Sequence, residues 1–460
     1  MRISRYVAGL ATLGLAALAA LAPAKPAAAQ TFTFSSSFQI QNLSSTGANI
    51  SIAFYPLDGT AATVSIDDTI PGNGQVTYAT LPSGVPAGFN GSAVISSDQR
   101  VAAIVNINSP SLSDLSFGGE AYVGVTEGSQ TASLPLLFKE SFGFNSFFNV
   151  QNVGQTSTQV TVTYNGGGLS QPLVKPAVTV APGASTRFDV GGDPGLPAGF
   201  NGSATITSSS SDIAAVATHV GPTTVLIYNS FSSGSQFPVF PLVNANNFGY
   251  ITGIAIQNRG STDSVVTVSF TPSLAGTACE ETKTVPAGGS AFFAIEAFST
   301  TDPTPSEDNC ANGETFVGSA RVTANSAGVE LVGTVDQVNS AARKGGTYAG
   351  FNPADATTTV VYPLINDRNF GFFTGLSMVN VSDQETTIEC VYSNTPVKQS
   401  ATVGARGTFT PVQADQIANG YNGSGVCTSS NPNAPIVGIA NQLRPTGPAS
   451  TFYVYEGANN

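Results

Sequence analysis

His219 is the only histidine in a chain of 460 residues, so few side chains here change protonation near neutral pH. A lone histidine could still serve a Ser-His-Asp arrangement, but no GxSxG elbow supplies a serine for it. Nor does the chain contain HExxH, a phosphate-binding P-loop or the DxDxDG start of a calcium loop. Asp67, Asp68, Asp193, Asp263, Asp302, Glu307 and Asp308 fall in turns or in an insertion, where acidic residues are ordinarily solvated. A glycosidase would need two such carboxylates brought together from a distance, and loose calcium binding is the other use for them. The four cysteines, Cys279, Cys310, Cys390 and Cys427, show no CxxC spacing and match no zinc pattern. No catalytic residue, metal ligand or cofactor site is therefore expected, and the chain is not read as an enzyme.

What must position these residues is a repeat. Segments FQIQN, FNVQN, IAIQN and LSMVN end on Asn42, Asn152, Asn258 and Asn380, and apolar residues stand two and four places before each. Alternation with period two means a strand. Eight, ten and twelve places after each asparagine come Ile50, Ile52, Phe54; Val160, Val162, Tyr164; Val266, Val268, Phe270; and Ile388, Cys390, Tyr392, a second strand with the same inward face. The octapeptide PAGFNGSA, at residues 86–93 and again at 197–204, belongs to the same frame: Gly91, Gly202, Gly318 and Gly423 each open a further strand. In this frame His219 shares its place with Ile107, Val335 and Gln442, so it reads as a strand residue with a structural role.

Cysteine positions follow from the same frame. Cys390 stands where Ile52, Val162 and Val268 stand, and Cys427 where Ile95, Ile206 and Val322 stand. Both replace core-facing aliphatics, which predicts a Cys390–Cys427 bridge between facing sheets. Cys279 and Cys310 bracket an insertion in the third repeat and are expected to pair with each other.

The chain opens with Arg2 and Arg5, an Ala/Leu-rich run and Ala27-Ala28-Ala29, the pattern of a secretory signal peptide over residues 1–29. Cleavage there would remove Arg2, Arg5 and Lys25, taking the net charge from −12 to −15. Nucleic acid is an unsuitable partner for such a chain. An exported protein meets oxidising conditions, which favours disulfides, and no second run is long enough to span a membrane. Charged residues make up only 10% of the chain, well below the roughly 25% of ordinary soluble domains. Ser, Thr, Asn and Gln must then supply the polar surface.

Pro135, Pro241 and Pro363 each precede Leu, and eight residues later comes a glycine between aromatics: Phe142 and Phe144, Phe248 and Tyr250, Phe370 and Phe372. One reading makes this segment a linker whose aromatics wedge neighbouring units together. The other makes it a strand of the sandwich. Each proline lies 17 residues before its asparagine, and the same count back from Asn42 reaches Lys25, within the signal peptide. On the second reading the first unit has an unfilled edge, and unpaired edge backbone is a template for another chain.

The IQN strand, the GFNGSA turn and the SSDQ-type hairpin that follows resemble the secreted tandem immunoglobulin-like proteins of bacterial cell surfaces, found in surface layers, adhesins and filaments. The expected fold is all-β: four tandem immunoglobulin-like antiparallel β-sandwich domains in a row, at 30–133, 134–236, 237–360 (with the disulfide-bracketed insertion) and 361–460. The resemblance implies an extracellular or cell-surface structural rod, assembling into a layer or filament through end or edge strands or mediating adhesion. A carbohydrate- or surface-binding array, with surface glycan as partner, is the alternative; a secreted hydrolase ranks third.

Overall fold

The computed structural model describes residues 34–108, 119–222, 224–301, 304–444 and 452–459, and all structural statements concern these. The segment read as a signal peptide and Asp302 lie outside them. The chain is all-β and forms tandem antiparallel β-sandwiches, in which the same strand roles recur four times.

One sheet of each unit contains an asparagine strand, named for its last residue: Ser35–Asn42, Asn145–Asn152, Ile251–Asn258 and Phe372–Asn380. It pairs with a return strand, Val101–Asn108, Ile213–Val220, Leu331–Asn339 or Ile436–Leu443. That strand pairs with a closing strand, Gly119–Val123, Val225–Asn229, Lys344–Ala349 or Phe452–Glu456. In the other sheet a second strand, Ala48–Pro56, Thr158–Gly166, Ser264–Ala275 or Thr386–Tyr392, lies beside the strand that carries Gly-Ser-Ala or Gly-Ser-Gly. These GSA strands are Gly91–Ser97, Phe200–Ser208, Phe316–Ala324 and Tyr421–Ser429. Inward-facing side chains from both sheets form the cores, such as Phe148, Val150, Val160, Val162 and Ile206 in the second unit.

Cross-strand pairs match the repeat frame: Ile52 with Ile95, Val162 with Ile206, Val268 with Val322, and Cys390 with Cys427. Both expected disulfides are present. One expectation about them is corrected. Cys390 and Cys427 sit opposite each other on adjacent strands of one sheet, with Cα atoms 4.0 Å apart, and do not join facing sheets. Two positions on the inward face of neighbouring strands are close enough to bridge directly, whereas facing sheets lie about 10 Å apart.

The repeated asparagines are fully buried hydrogen-bond hubs. Asn152 Nδ2 donates to Thr156 O (2.7 Å) and Val180 O (3.0 Å), while its Oδ1 accepts from Gly154 N (3.0 Å). Asn42, Asn258 and Asn380 repeat this set, to Thr46, Thr262 and Gln384 and to the second-sheet side of the turn. A buried amide thereby replaces the backbone pairing lost where the chain crosses between sheets.

The Pro-Leu segments are strands. Thr131–Lys139, Val239–Ala245 and Thr359–Asn369 open units two, three and four and pair with the GSA strand of the same unit. The linker reading is overturned. Each Pro-Leu pair falls at a register shift, Leu134 to Leu137, Phe240 to Val243 and Tyr362 to Ile365, so the missing proline N–H interrupts no ladder bond. In the fourth unit the opening strand also pairs with the asparagine strand, merging the two sheets into one of nine strands.

The register also moves one residue. His219 lies opposite Ser146, six places into its return strand, where the other units have Ile107, Gln337 and Gln442. Val335 stands two places earlier, level with Ala217.

The four units form a closed circuit, not a rod. Tyr122 and Ile107 of the first pack on Val225 and Ile227 of the second. Leu136 and Phe138 of the second pack on Ala255 of the third, and Val239 of the third on Val379 and Val437 of the fourth. The circuit closes where Ile104 and Ala121 of the first unit join the core of the fourth. All four closing strands meet at the centre, each touching the next. There Glu120, fully buried, accepts N–H bonds from Ala121 (2.9 Å), from Thr347 of the third unit (2.7 Å) and from Val454 of the fourth (2.9 Å).

Asn152→Ala should destabilise the chain by about 2 to 3 kcal/mol, seen as a lower midpoint of urea denaturation, because it orphans two carbonyls and one N–H in a buried turn. Asn152→Asp, which cannot donate, should cost about as much; circular dichroism melts check both.

Candidate functional site

The residues with the most familiar chemistry are spent on structure. His219 Nδ1 is 2.6 Å from Ser146 Oγ, a spacing at which a base can activate a serine. Both groups are buried, Phe138 and Tyr228 rings pack at 5.0 and 5.5 Å from the imidazole, and Ser146 Oγ already accepts the Phe138 N–H at 2.7 Å. Thr252 and Thr374 accept the equivalent N–H groups of Asn244 and Asn366 in the next two units. Ser146 thus pins an opening strand, and burial pulls His219 down to a pKa of about 3, which keeps it neutral.

Apart from Asp67 and Asp68, which with Asp98 line an open depression of about 650 Å³ on the first unit, the acidic candidates do not converge. Asp67 and Asp68 lie on the strand Val64–Ile70, not in a turn. Asp68 takes the Tyr78 hydroxyl at 2.7 Å, Asp193 holds Lys175 at 2.8 Å, Asp263 accepts Ala287 N at 3.0 Å and Asp308 accepts Cys310 N at 2.9 Å. Glu307 stands 3.6 Å from Lys283. Among the described residues no group of three or more His, Cys, Asp or Glu side chains could hold a metal ion. A cleft of about 320 Å³ between the first and fourth units is lined by Gln41, Asn73, Tyr392, Ser393 and Ser424, with no carboxylate or cationic side chain in its wall.

Repetition did not reveal the central carboxylates. Asp336 accepts from Thr347 Oγ1 at 2.6 Å and Glu456 accepts from Ala349 N; burial raises each from its ordinary value to about 7. Burial also pushes Glu120 well above the usual carboxylate range, opposed by its three N–H donors. The signal that could have found Glu120 is its place inside an otherwise apolar strand, GEAYV.

The aromatics expected at the joints divide into two sets. Phe144 packs beside Phe138 and onto the Ala255–Phe292 patch of the third unit, and Tyr250 lies 5.5 Å from Phe452 of the fourth. Phe372 stays within its own unit, 5.6 Å from Tyr453. The other three are not wedges. Phe142, Phe248 and Phe370 stand at the tips of hairpins joining the opening and asparagine strands, 71%, 91% and 84% exposed. Their φ angles are 50°, 49° and 50°, followed by Gly143, Gly249 and Gly371 at 80°, 84° and 82°. Two consecutive left-handed residues make the tight turn that suits twisted hairpins, and Asn or Asp normally occupies its first place.

These tips rise on one side of the ring. Gly143 stands beside Pro222, Gly249 beside Asn339 and Gly371 beside Arg444, so each tip lies by the end of its unit's return strand. Closing strands run level with one another at the centre: Gly346 lies against Val454 and Phe452, Ala349 bonds Glu456, and Asn229 Nδ2 donates to Val123 O at 2.8 Å. No family profile and no curated protein matches the chain. Among the described residues no helix is long and apolar enough to cross a membrane.

Asp336 and Glu456 bind protons more tightly folded than unfolded, so their contribution is full below about pH 4 and is lost as pH rises towards 7. The melting temperature should fall between pH 5 and pH 8. The double variant Asp336→Asn, Glu456→Gln should flatten that slope in a thermal-shift titration.

Proposed function

We propose that the protein is a non-enzymatic extracellular structural component that assembles at, or adheres to, a cell surface through the aromatic face of its ring. One observation carries this reading. Three phenylalanines occupy left-handed backbone positions at solvent-exposed tips, where each costs on the order of 1 kcal/mol relative to a glycine or asparagine. Turn geometry does not account for them, and packing offers one edge-on contact, of Phe142 with the Phe138 ring at 6.2 Å, so recognition is the property that best explains all three. Exposed rings of this size are a marker of contact surfaces. Three rings on one side give avidity that a single weak contact lacks. Two disulfides and a sparsely charged surface suit an oxidising, extracellular setting.

The closed circuit replaces the expected rod as the assembling body, since its faces, not its ends, are what neighbours would meet. The second reading, a module for surface glycans, is favoured by the same rings, whose flat faces can stack on sugars. Both readings depend on the tips and differ in the partner.

The triple variant Phe142→Asn, Phe248→Asn, Phe370→Asn should melt at the same temperature or higher, because asparagine suits the turn. It should also lose concentration-dependent assembly, measured by analytical ultracentrifugation, and retention on native cell-surface preparations. Selective glycan-array binding lost in the variant would favour the module reading. Undiminished assembly and retention would sink both.

A further inference from the structure

The first unit repeats the plan of the others, and among the described residues it has no opening strand. In units two to four the GSA strand is covered by an opening strand; in the first, Gly91–Ser97 pairs only with Ala48–Pro56 among the described residues. Side chains register the difference. Ala204 and Ala320 are fully buried where Ala93 is exposed, and Ile206, Val322 and Cys427 are buried where Ile95 is only half-buried.

Groups that hold an opening strand elsewhere are also present here. Tyr228, Tyr348 and Tyr455 of the closing strands donate their hydroxyls to the carbonyls of Leu136, Leu242 and Leu364, the leucine of each Pro-Leu pair. Tyr122 stands at the same register, opposite Val105 as Tyr228 is opposite Ala217, and among the described residues no leucine carbonyl meets its hydroxyl. A second donor set spans the joints. The proline carbonyl of the third unit accepts from Ser377 of the fourth at 2.8 Å, and that of the fourth from Gln39 of the first. Asn149 of the second unit occupies the corresponding place, three residues before its asparagine and beside Val216, which faces the first unit; its Nδ2 is a donor of the same kind.

We propose that this position in the first sandwich accepts an extended segment of another polypeptide, of the same chemistry as the chain's own opening strands: apolar on both sides of a central Pro-Leu step. An occupant adds backbone pairing to Gly91–Ser97, fills the space over Ala93 and Ile95, and presents its leucine carbonyl to the Tyr122 hydroxyl and its proline carbonyl to Asn149 Nδ2 as donors. The residues of this chain at the matching count, Leu21 to Ala29 (LAPAKPAAA), suit the place poorly. Lys25 stands where the others have proline, Pro26 lacks the N–H that Leu136 donates to the Tyr228 hydroxyl oxygen at 3.2 Å, and alanines stand at the core-facing places of Leu134 and Leu137. This inference is independent of the aromatic tips.

The experiment uses the chain from Gln30 onward and a labelled peptide of its own residues 130–140, QTASLPLLFKE, as the probe. Fluorescence anisotropy should show saturable binding with one site, and hydrogen exchange at residues 91–97 should slow about tenfold or more on addition of peptide. A scrambled peptide should do neither. Ala93→Arg, a substitution at an exposed place, should leave the melting temperature unchanged and weaken binding at least about tenfold; Tyr122→Phe should weaken it about fivefold, as loss of one hydrogen bond does. No binding, binding without protection of 91–97, or binding indifferent to Ala93→Arg would overturn the proposal. So would protection of 91–97 without peptide, whether from residues 1–29 in the uncleaved chain or from concentration-dependent pairing of two copies.

Discussion

The carboxylate of Glu120 holds the architecture closed. It is carried by the closing strand of the first unit, yet two of its three bonds reach backbone N–H groups of the third and fourth units. Without it those donors would be buried with no acceptor, each costing about 1 to 3 kcal/mol. A charge in such a place is tolerable because three N–H dipoles converge on it, and burial draws its proton affinity upward at the same time. Four β-sandwiches linked end to end have many arrangements open to them; this contact selects one that brings all four closing strands together.

Much of the unit was legible in the sequence because a two-layer sandwich writes its inward face with period two. Ile52, Val162, Val268 and Cys390 announced one another, and with them a disulfide whose partner position could be counted out. The bridge was assigned to the wrong geometry since alternation tells which face a residue is on, not which strand lies beside it. The Pro-Leu segment was harder. Proline argues against a strand interior, and only the bulge, visible as a break in register, reconciles the two.

The ring was not read, although a trace of it is present. Closing strands such as VLIYN in the second unit are apolar at nearly every place, which is how a strand buried on both faces is written. One face of Val225–Asn229 serves its own core through Tyr228, and the other serves a neighbour through Val225 and Ile227. The aromatic tips were seen but misplaced, because Phe-Gly beside a predicted joint suggests packing, and only the backbone angles show a hairpin end. Repetition also hides what is unique. Glu120 has Leu226, Gly346 and Tyr453 at its register, so no alignment of the units marks it.

Three junctions of the circuit are bridged by continuous chain, and the fourth, between the first unit and the last, is held among the described residues by side-chain contacts. Ile104 and Ala121 lie there in a shared core, and Gln39 reaches Pro363. Such a seam is complementary to itself in every copy of the molecule. Opening that seam would bare Ile104 and Ala121 together with the part of the fourth unit's core they cover, so the closure of the circuit and the burial of these two side chains are a single event.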